Sequence, residues 1–363
     1  MRHAHLPHRG RRPVSRAPPH VDACRMGTVD GASRQGRSKW ISGGCPGPCP
    51  AVRDSRSSNP TGPHLTARHE QTRNQEMVSG SCLCGTVTYE VQGPFTSMVN
   101  CHCSMCRKQH GAPFATFLPA PLAGFRWTGA EAALVTFQSS TRSVRSGCKT
   151  CGAPAPIVLP ERNMALVPAG PLEGDLPLTP QMHIFVGSKA PWYAITDGLP
   201  QHEAFPPEFG VQGVERPTVD ARPGVTSGSC LCGEVAFEVE GDALIMQNCH
   251  CTRCRRARGA AHGTNIFYRA EQFRWLRGAE LAVDYKIPEA KHHTVTFCRR
   301  CTGALPRVDT VRNVAVVPAG CLDTDPPLRP QRHIFTAHKA AWFAITDELP
   351  QLPEAPPPLF PRT

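Results

Sequence analysis

The sequence predicts a mainly β fold in two tandem copies, preceded by an N-terminal segment that stays disordered. Three observations predict it. Motifs of seven and eight residues return in the same order at an offset of 148 to 150 residues. Apolar residues alternate with polar ones along short stretches punctuated by Pro and Gly. The 18 cysteines of the 363-residue chain gather in close pairs and triplets.

The repeat is plain. Ser79-Gly-Ser-Cys-Leu-Cys-Gly85 recurs as Ser227-Gly-Ser-Cys-Leu-Cys-Gly233. Asn100-Cys-His-Cys-Ser-Met-Cys-Arg107 recurs as Asn248-Cys-His-Cys-Thr-Arg-Cys-Arg255, and Cys148-Lys-Thr-Cys151 as Cys298-Arg-Arg-Cys301. His183-Ile-Phe185 and Trp192-Tyr-Ala-Ile-Thr-Asp197 return as His333-Ile-Phe335 and Trp342-Phe-Ala-Ile-Thr-Asp347. A period this long marks duplicated domains, whereas solenoid repeats are far shorter.

Within each copy the pattern is β. Val87, Tyr89 and Val91 alternate with polar residues, as do Val235, Phe237 and Val239, which sets the apolar side chains on one strand face. Phe125 with Trp127, and Phe273 with Trp275, read as a second strand. Thr294-Val-Thr-Phe297 runs into a cysteine pair as a strand does. One short helix is expected after Cys106 and another after Cys254, where Arg and Lys cluster.

The formal charge of +11 is unevenly placed. Residues 1–76 hold 13 Lys and Arg against 5 Asp and Glu, which leaves 27 against 24, only +3, for the rest. The basic character therefore belongs to the leading segment, and no nucleic-acid partner is expected for the folded part. That segment is rich in Pro, Gly, Ser and Arg and poor in core formers, so burial does not offset its chain entropy. It lacks the apolar stretch of a secretory signal, and Met77 is the expected biological start. No apolar run approaches the roughly 18 residues of a membrane helix. The expected organisation is a disordered basic segment over 1–77, a first domain over 78–205 and a linker over 206–225. A second domain over 226–354 and a proline-rich tail over 355–363 follow.

Fourteen cysteines form two matching sets of seven. The first is Cys82, Cys84, Cys101, Cys103, Cys106, Cys148 and Cys151. The second is Cys230, Cys232, Cys249, Cys251, Cys254, Cys298 and Cys301. Disulfides are the competing explanation. Seven is odd, there is no secretion signal, and a CxC pair is too close to bridge itself comfortably. Close pairs separated by long loops are the spacing of zinc sites. Seven ligands divide economically into four and three. The CxC and the later CxxC make a closed site, while the C-x-C-x-x-C run supplies three thiolates and leaves a position open, as a catalytic zinc requires. Either an outside ligand or the interposed His102 and His250 would complete the triplets.

These motifs, in this order, resemble the glutathione-dependent formaldehyde-activating enzyme family, which includes centromere protein V. The resemblance covers 78–205 and again 226–354. It implies two tandem β-tent zinc-binding domains, a fold shared with a small zinc-binding accessory factor of Rab GTPases. It implies a structural zinc on Cys82, Cys84, Cys148 and Cys151 and a catalytic zinc on Cys101, Cys103 and Cys106. The same assignment in the second copy puts Cys230, Cys232, Cys298 and Cys301 on the structural ion and Cys249, Cys251 and Cys254 on the catalytic one. Four Zn2+ per chain follow. The sequence departs from the family pattern in three places: Thr302 interrupts the Cys-Gly step, Gly147 replaces an aromatic residue, and Cys321 lacks a partner in copy one, where Pro171 stands.

The resemblance implies a carbon–sulfur lyase, an S-(hydroxymethyl)glutathione synthase-like activity, with glutathione as co-substrate. Its partners would be a small thiol and an aldehyde, with no membrane, in the cytoplasm. A non-catalytic zinc scaffold that binds a protein is the alternative. Arg107, Lys108, Arg255 and Arg256 are either carboxylate-binding groups or solvated helix charges, and His183 and His333 either proton carriers or packing residues.

Overall fold

A computed structural model describes residues 77–141, 143–206, 221–291 and 293–356. The N-terminal segment before Met77, most of the expected linker and the end of the proline-rich tail lie outside the described residues.

Each copy builds three sheets. In the first copy, β1 (Met77–Ser81), β2 (Thr88–Gln92) and β5 (Phe125–Trp127) form an antiparallel three-stranded sheet. A second is made by β6 (Leu134–Ser140), β7 (Ser143–Cys148) and β8 (Pro154–Ala155). The third has six strands in the order β12 (Gln201–His202), β11 (Met182–Ile184), β3 (Val99–Cys101), β4 (Ala115–Pro121), β10 (Met164–Pro168) and β9 (Ile157–Leu159). Its β11 runs parallel to both β3 and β12.

The second copy repeats the arrangement. Its small sheets are β13 (Val225–Ser229), β14 (Ala236–Glu240), β17 (Phe273–Arg277) and β18 (Ala282–Lys286), β19 (Thr294–Cys298), β20 (Ala304–Leu305). The six-stranded sheet runs β21 (Arg307–Asp309), β22 (Val314–Pro318), β16 (Gly263–Tyr268), β15 (Ile245–Cys249), β23 (His333–Ile334), β24 (Gln351–Leu352). Among the described residues no helix is long and apolar enough to cross a membrane.

The expected strands form, with a clean alternation on β2, whereas on β14 Ala236 and Glu238 are buried along with Phe237 and Val239. Tyr89 and Val91 are 1% and 0% exposed, while their neighbours on β2 face outward. The helices differ slightly from expectation: α1 (Ser104–His110) and α2 (Thr252–Arg258) start before the third cysteine of each triplet. Cys103 and Cys251 act as their N-caps, each Sγ accepting the backbone N–H of Cys106 or Cys254 at 3.4 Å. Sulfur here does what Ser or Asp oxygen does at ordinary helix starts.

The two copies are interlocked. Trp342 and Ala340 of the second copy are buried in the core that holds Tyr89, Val91 and Phe114 of the first. Trp192 and Ala190 of the first copy are buried reciprocally with Phe237, Val239 and Ile266 of the second. Lys108 on α1 reaches Asp323 Oδ1 at 2.5 Å and Ser229 Oγ at 2.7 Å, and Arg256 on α2 reaches Glu173 at 2.5 Å. Phe114 and its counterpart His262 meet edge to face, ring centres 6.0 Å apart.

Candidate metal centre

Two hairpins build each four-cysteine group. The β1–β2 turn presents Cys82 and Cys84, and the β7–β8 turn presents Cys148 and Cys151. Cys82 N donates to Val87 O at 2.9 Å and Cys148 N to Ala153 O at 2.9 Å, so both turns are closed by backbone bonds. The four sulfurs lie within 4.8 Å of one another. Cys82 and Cys84 Sγ are 3.4 Å apart, and Cys84 and Cys148 Sγ 3.7 Å, well beyond a disulfide bond. The second copy matches, with 3.3 Å from Cys230 to Cys232 and 3.9 Å from Cys232 to Cys298.

The triplets come from one short segment each. Cys101 ends β3, Cys103 caps α1 and Cys106 lies in its first turn. Cys249, Cys251 and Cys254 occupy the same places in the second copy, with Cys249 and Cys251 Sγ 3.6 Å apart. Each trio is also within 4.8 Å. All 15 cysteines described are free thiols.

This donor set fits a soft, tetrahedral cation. Crowded buried thiols cannot all ionise without one, and they hold one another's protons in its absence. Cys151 pushes Cys84 down to about 6 and Cys148 down to about 2, while Cys148 drives Cys151 far upward. In the triplets Cys101 is held well up by Cys103, and Cys103 correspondingly down by Cys101. Backbone N–H groups of Val87 and Val235 donate to Cys82 and Cys230 Sγ at 3.3 and 3.4 Å, which stabilises thiolates there.

All fourteen sequence-expected cysteines thus converge as the motifs imply, four and three in each copy. His102 and His250 do not join the triplets. His102 Nε2 sits 2.8 Å from His183 Nδ1, and His183 Nε2 lies 3.0 Å from Asp197. His250, His333 and Asp347 repeat the chain at 2.8 and 3.0 Å. With the carboxylate accepting, His183 protonates Nε2 and accepts on Nδ1 from His102. Burial pushes both His102 and His250 down to about 3, so both rings are neutral. These His–His–Asp chains were not legible as units, because their histidines lie 81 and 83 residues apart in sequence, and each Asp 14 further on. Cys321 is buried, its thiol donating to Pro318 O at 2.9 Å, and joins no sulfur cluster. Lys108 and Arg256 tie the two copies together, a role that sequence reading missed.

The family model of the glutathione-dependent formaldehyde-activating enzyme matches residues 77–188 and again 225–338. No curated protein matches the chain. A crystal structure of a Rhodobacter sphaeroides protein is 28% identical over 29% of this chain and 97% of that chain, with a TM-score of 0.23. Two matches in tandem, each over the segment that carries the seven converging cysteines, place the chain in the glutathione-dependent formaldehyde-activating enzyme family.

Proposed function

We propose that this chain is a zinc-dependent, carbon–sulfur lyase-like protein that promotes the addition of a thiol such as glutathione to formaldehyde or another aldehyde. The observation that carries this reading is the contrast between two closed four-sulfur groups and two three-sulfur groups that have no fourth protein donor among the described residues. Cys82, Cys84, Cys148 and Cys151, with Cys230, Cys232, Cys298 and Cys301, would hold structural zinc. Cys101, Cys103 and Cys106, and Cys249, Cys251 and Cys254, would hold zinc with a position to spare, making four ions per chain. Each repeat, over 78–205 and 226–354, is then one zinc domain.

Zinc on three thiolates supplies a Lewis-acidic position that keeps an incoming thiol ionised at neutral pH. The chain's own residues position that centre. Asp197, through His183, fixes the His102 ring between two of the ligands, and Thr116 donates to Asn100 Oδ1 at 2.7 Å to hold the strand end before Cys101. The addition forms one C–S bond and moves the thiol proton to the former carbonyl oxygen, with no change of oxidation state. A reducing, cytoplasmic setting suits the free thiols.

The test is exchange spectroscopy by NMR of glutathione and formaldehyde, with and without the zinc-loaded chain. Acceleration of adduct exchange that disappears on zinc removal supports the activity. An intact, zinc-loaded fold with only the spontaneous rate supports the non-catalytic scaffold instead.

A further inference from the structure

The surroundings of the two triplets differ row by row across the sheet face that carries them. Beside Cys101, β3 and β4 place Val99 opposite Phe117, and β9 and β10 place Ile157 opposite Leu166. These side chains pack with the triplet in one apolar cluster, to which Phe185 and Phe205 add a ring pair 4.8 Å apart. All three cysteines are buried there, at 5%, 3% and 1% exposure. The buried Arg145 guanidinium donates to Cys106 Sγ at 3.4 Å and fills the remaining polar side.

The second copy replaces this lining. Gln247 faces Asn265 where Val99 faces Phe117, and Arg307 faces Val316 where Ile157 faces Leu166. Arg332 stands for Met182 and Ala355 for Phe205. Cys251 and Cys254 are only half-buried. Among the described residues Asn265 Oδ1, His293 Nε2 and one terminal nitrogen of Arg332 are buried without a partner in the second copy, as is Arg145 Nε in the first. Buried polar atoms are nearly always satisfied in native proteins, and two of these stand around Gln247, Asn265 as its strand partner and Arg332 through Nε at 2.9 Å, so they point to a polar ligand there. His293 lies within the electrostatic reach of Cys251, Arg253 and Arg307. Arg307, whose guanidinium donates to Asp309 Oδ2 at 2.8 Å through one of its nitrogens, also opens onto a surface cleft of about 310 Å3 lined by Lys286, Lys291 and Arg312.

We infer that the two triplets have divided roles. Cys249, Cys251 and Cys254 form the exchange site, which selects a small thiol bearing a carboxylate through Arg307 and Arg332. Cys101, Cys103 and Cys106 form a site whose spare position is covered by Phe117, Ile157, Phe205 and Arg145. This rests on the reading of the triplets as metal sites with a position to spare.

The test uses the full chain reconstituted with cobalt(II), whose thiolate charge-transfer absorption reports a new sulfur ligand directly. Titration with 3-mercaptopropionate should saturate at one equivalent per chain. Arg307→Gln should weaken that thiol about tenfold while leaving uncharged 2-mercaptoethanol unaffected, as expected for loss of a charge-assisted contact. Cys254→Ser should abolish the spectral change. Two equivalents, or equal weakening of both thiols by Arg307→Gln, would overturn the division while leaving the proposed function standing. No response to either thiol would remove both. The Arg307 variant decides the matter should a cysteine variant fail to fold.

Discussion

Thr302 of the second copy occupies the space in front of Gly147 of the first: a Cβ built on Gly147 would lie 2.3 Å from Thr302 Oγ1. Phe297 covers Gly152 in the same way, at 2.2 Å. Gly147 and Phe297 are equivalent positions, as are Gly152 and Thr302. The departures from the family pattern are therefore complementary: where one copy grows, the other shrinks. Thr302 even keeps the left-handed φ of 55° that Gly152 adopts at 69°. Gly147→Phe, which gives the first copy the second copy's residue, should destabilise by about 2–3 kcal/mol through overpacking. Urea unfolding measures it. An unchanged midpoint would mean that the copies do not close against each other here.

The exchanged tryptophans make a second prediction. Trp192 belongs to the first copy in sequence but to the second copy's core in space. Trp192→Ala should cost about 3–5 kcal/mol, as truncation of a buried aromatic does. Hydrogen exchange should rise first in β15 and β16 of the second copy. Loss of protection confined to β3 and β4 would contradict the interlocked arrangement.

Acid should destabilise the interface between the copies. Burial pushes His262 well below its ordinary value, and holds His102, His110 and His250 down at about 3. The unfolded chain takes up protons below about pH 6.5 that the folded chain refuses. Stability is thus complete above that pH and falls as pH drops toward the folded values. His262→Phe copies Phe114 from the first repeat and removes one such proton. The slope of unfolding free energy against pH, well below pH 6, should become shallower by about 1.4 kcal/mol per pH unit. Urea titrations across that range read it directly, and an unchanged slope would show that His262 is not buried neutral.

Much of this was legible in the chain itself, and the reason is local. Cys82 with Cys84, and Cys101 with Cys103 and Cys106, announce their roles because ligands from one turn must sit close in sequence. The strand faces of Val87, Tyr89 and Val91 are legible because alternation is a local property. What was hidden is what the second copy does to the first. Nothing local says that Lys108 reaches Asp323, that Trp192 crosses over, or that Gly147 makes room for Thr302. The helices began earlier than expected because a cysteine thiol served as N-cap, a role read more readily from Ser or Asp. The His102–His183–Asp197 chain needed β3 and β11 side by side, a parallel pairing that sequence pattern alone does not specify.

The central claim is that seven thiols in each copy serve two metal ions, one closed and one with a position to spare. Native mass spectrometry of the reduced full chain measures this most directly. The account predicts four zinc ions per chain, with Cys148→Ala losing the four-thiolate ion of the first copy together with that copy's fold. Two ions per chain, or disulfides between the clustered cysteines, would contradict it.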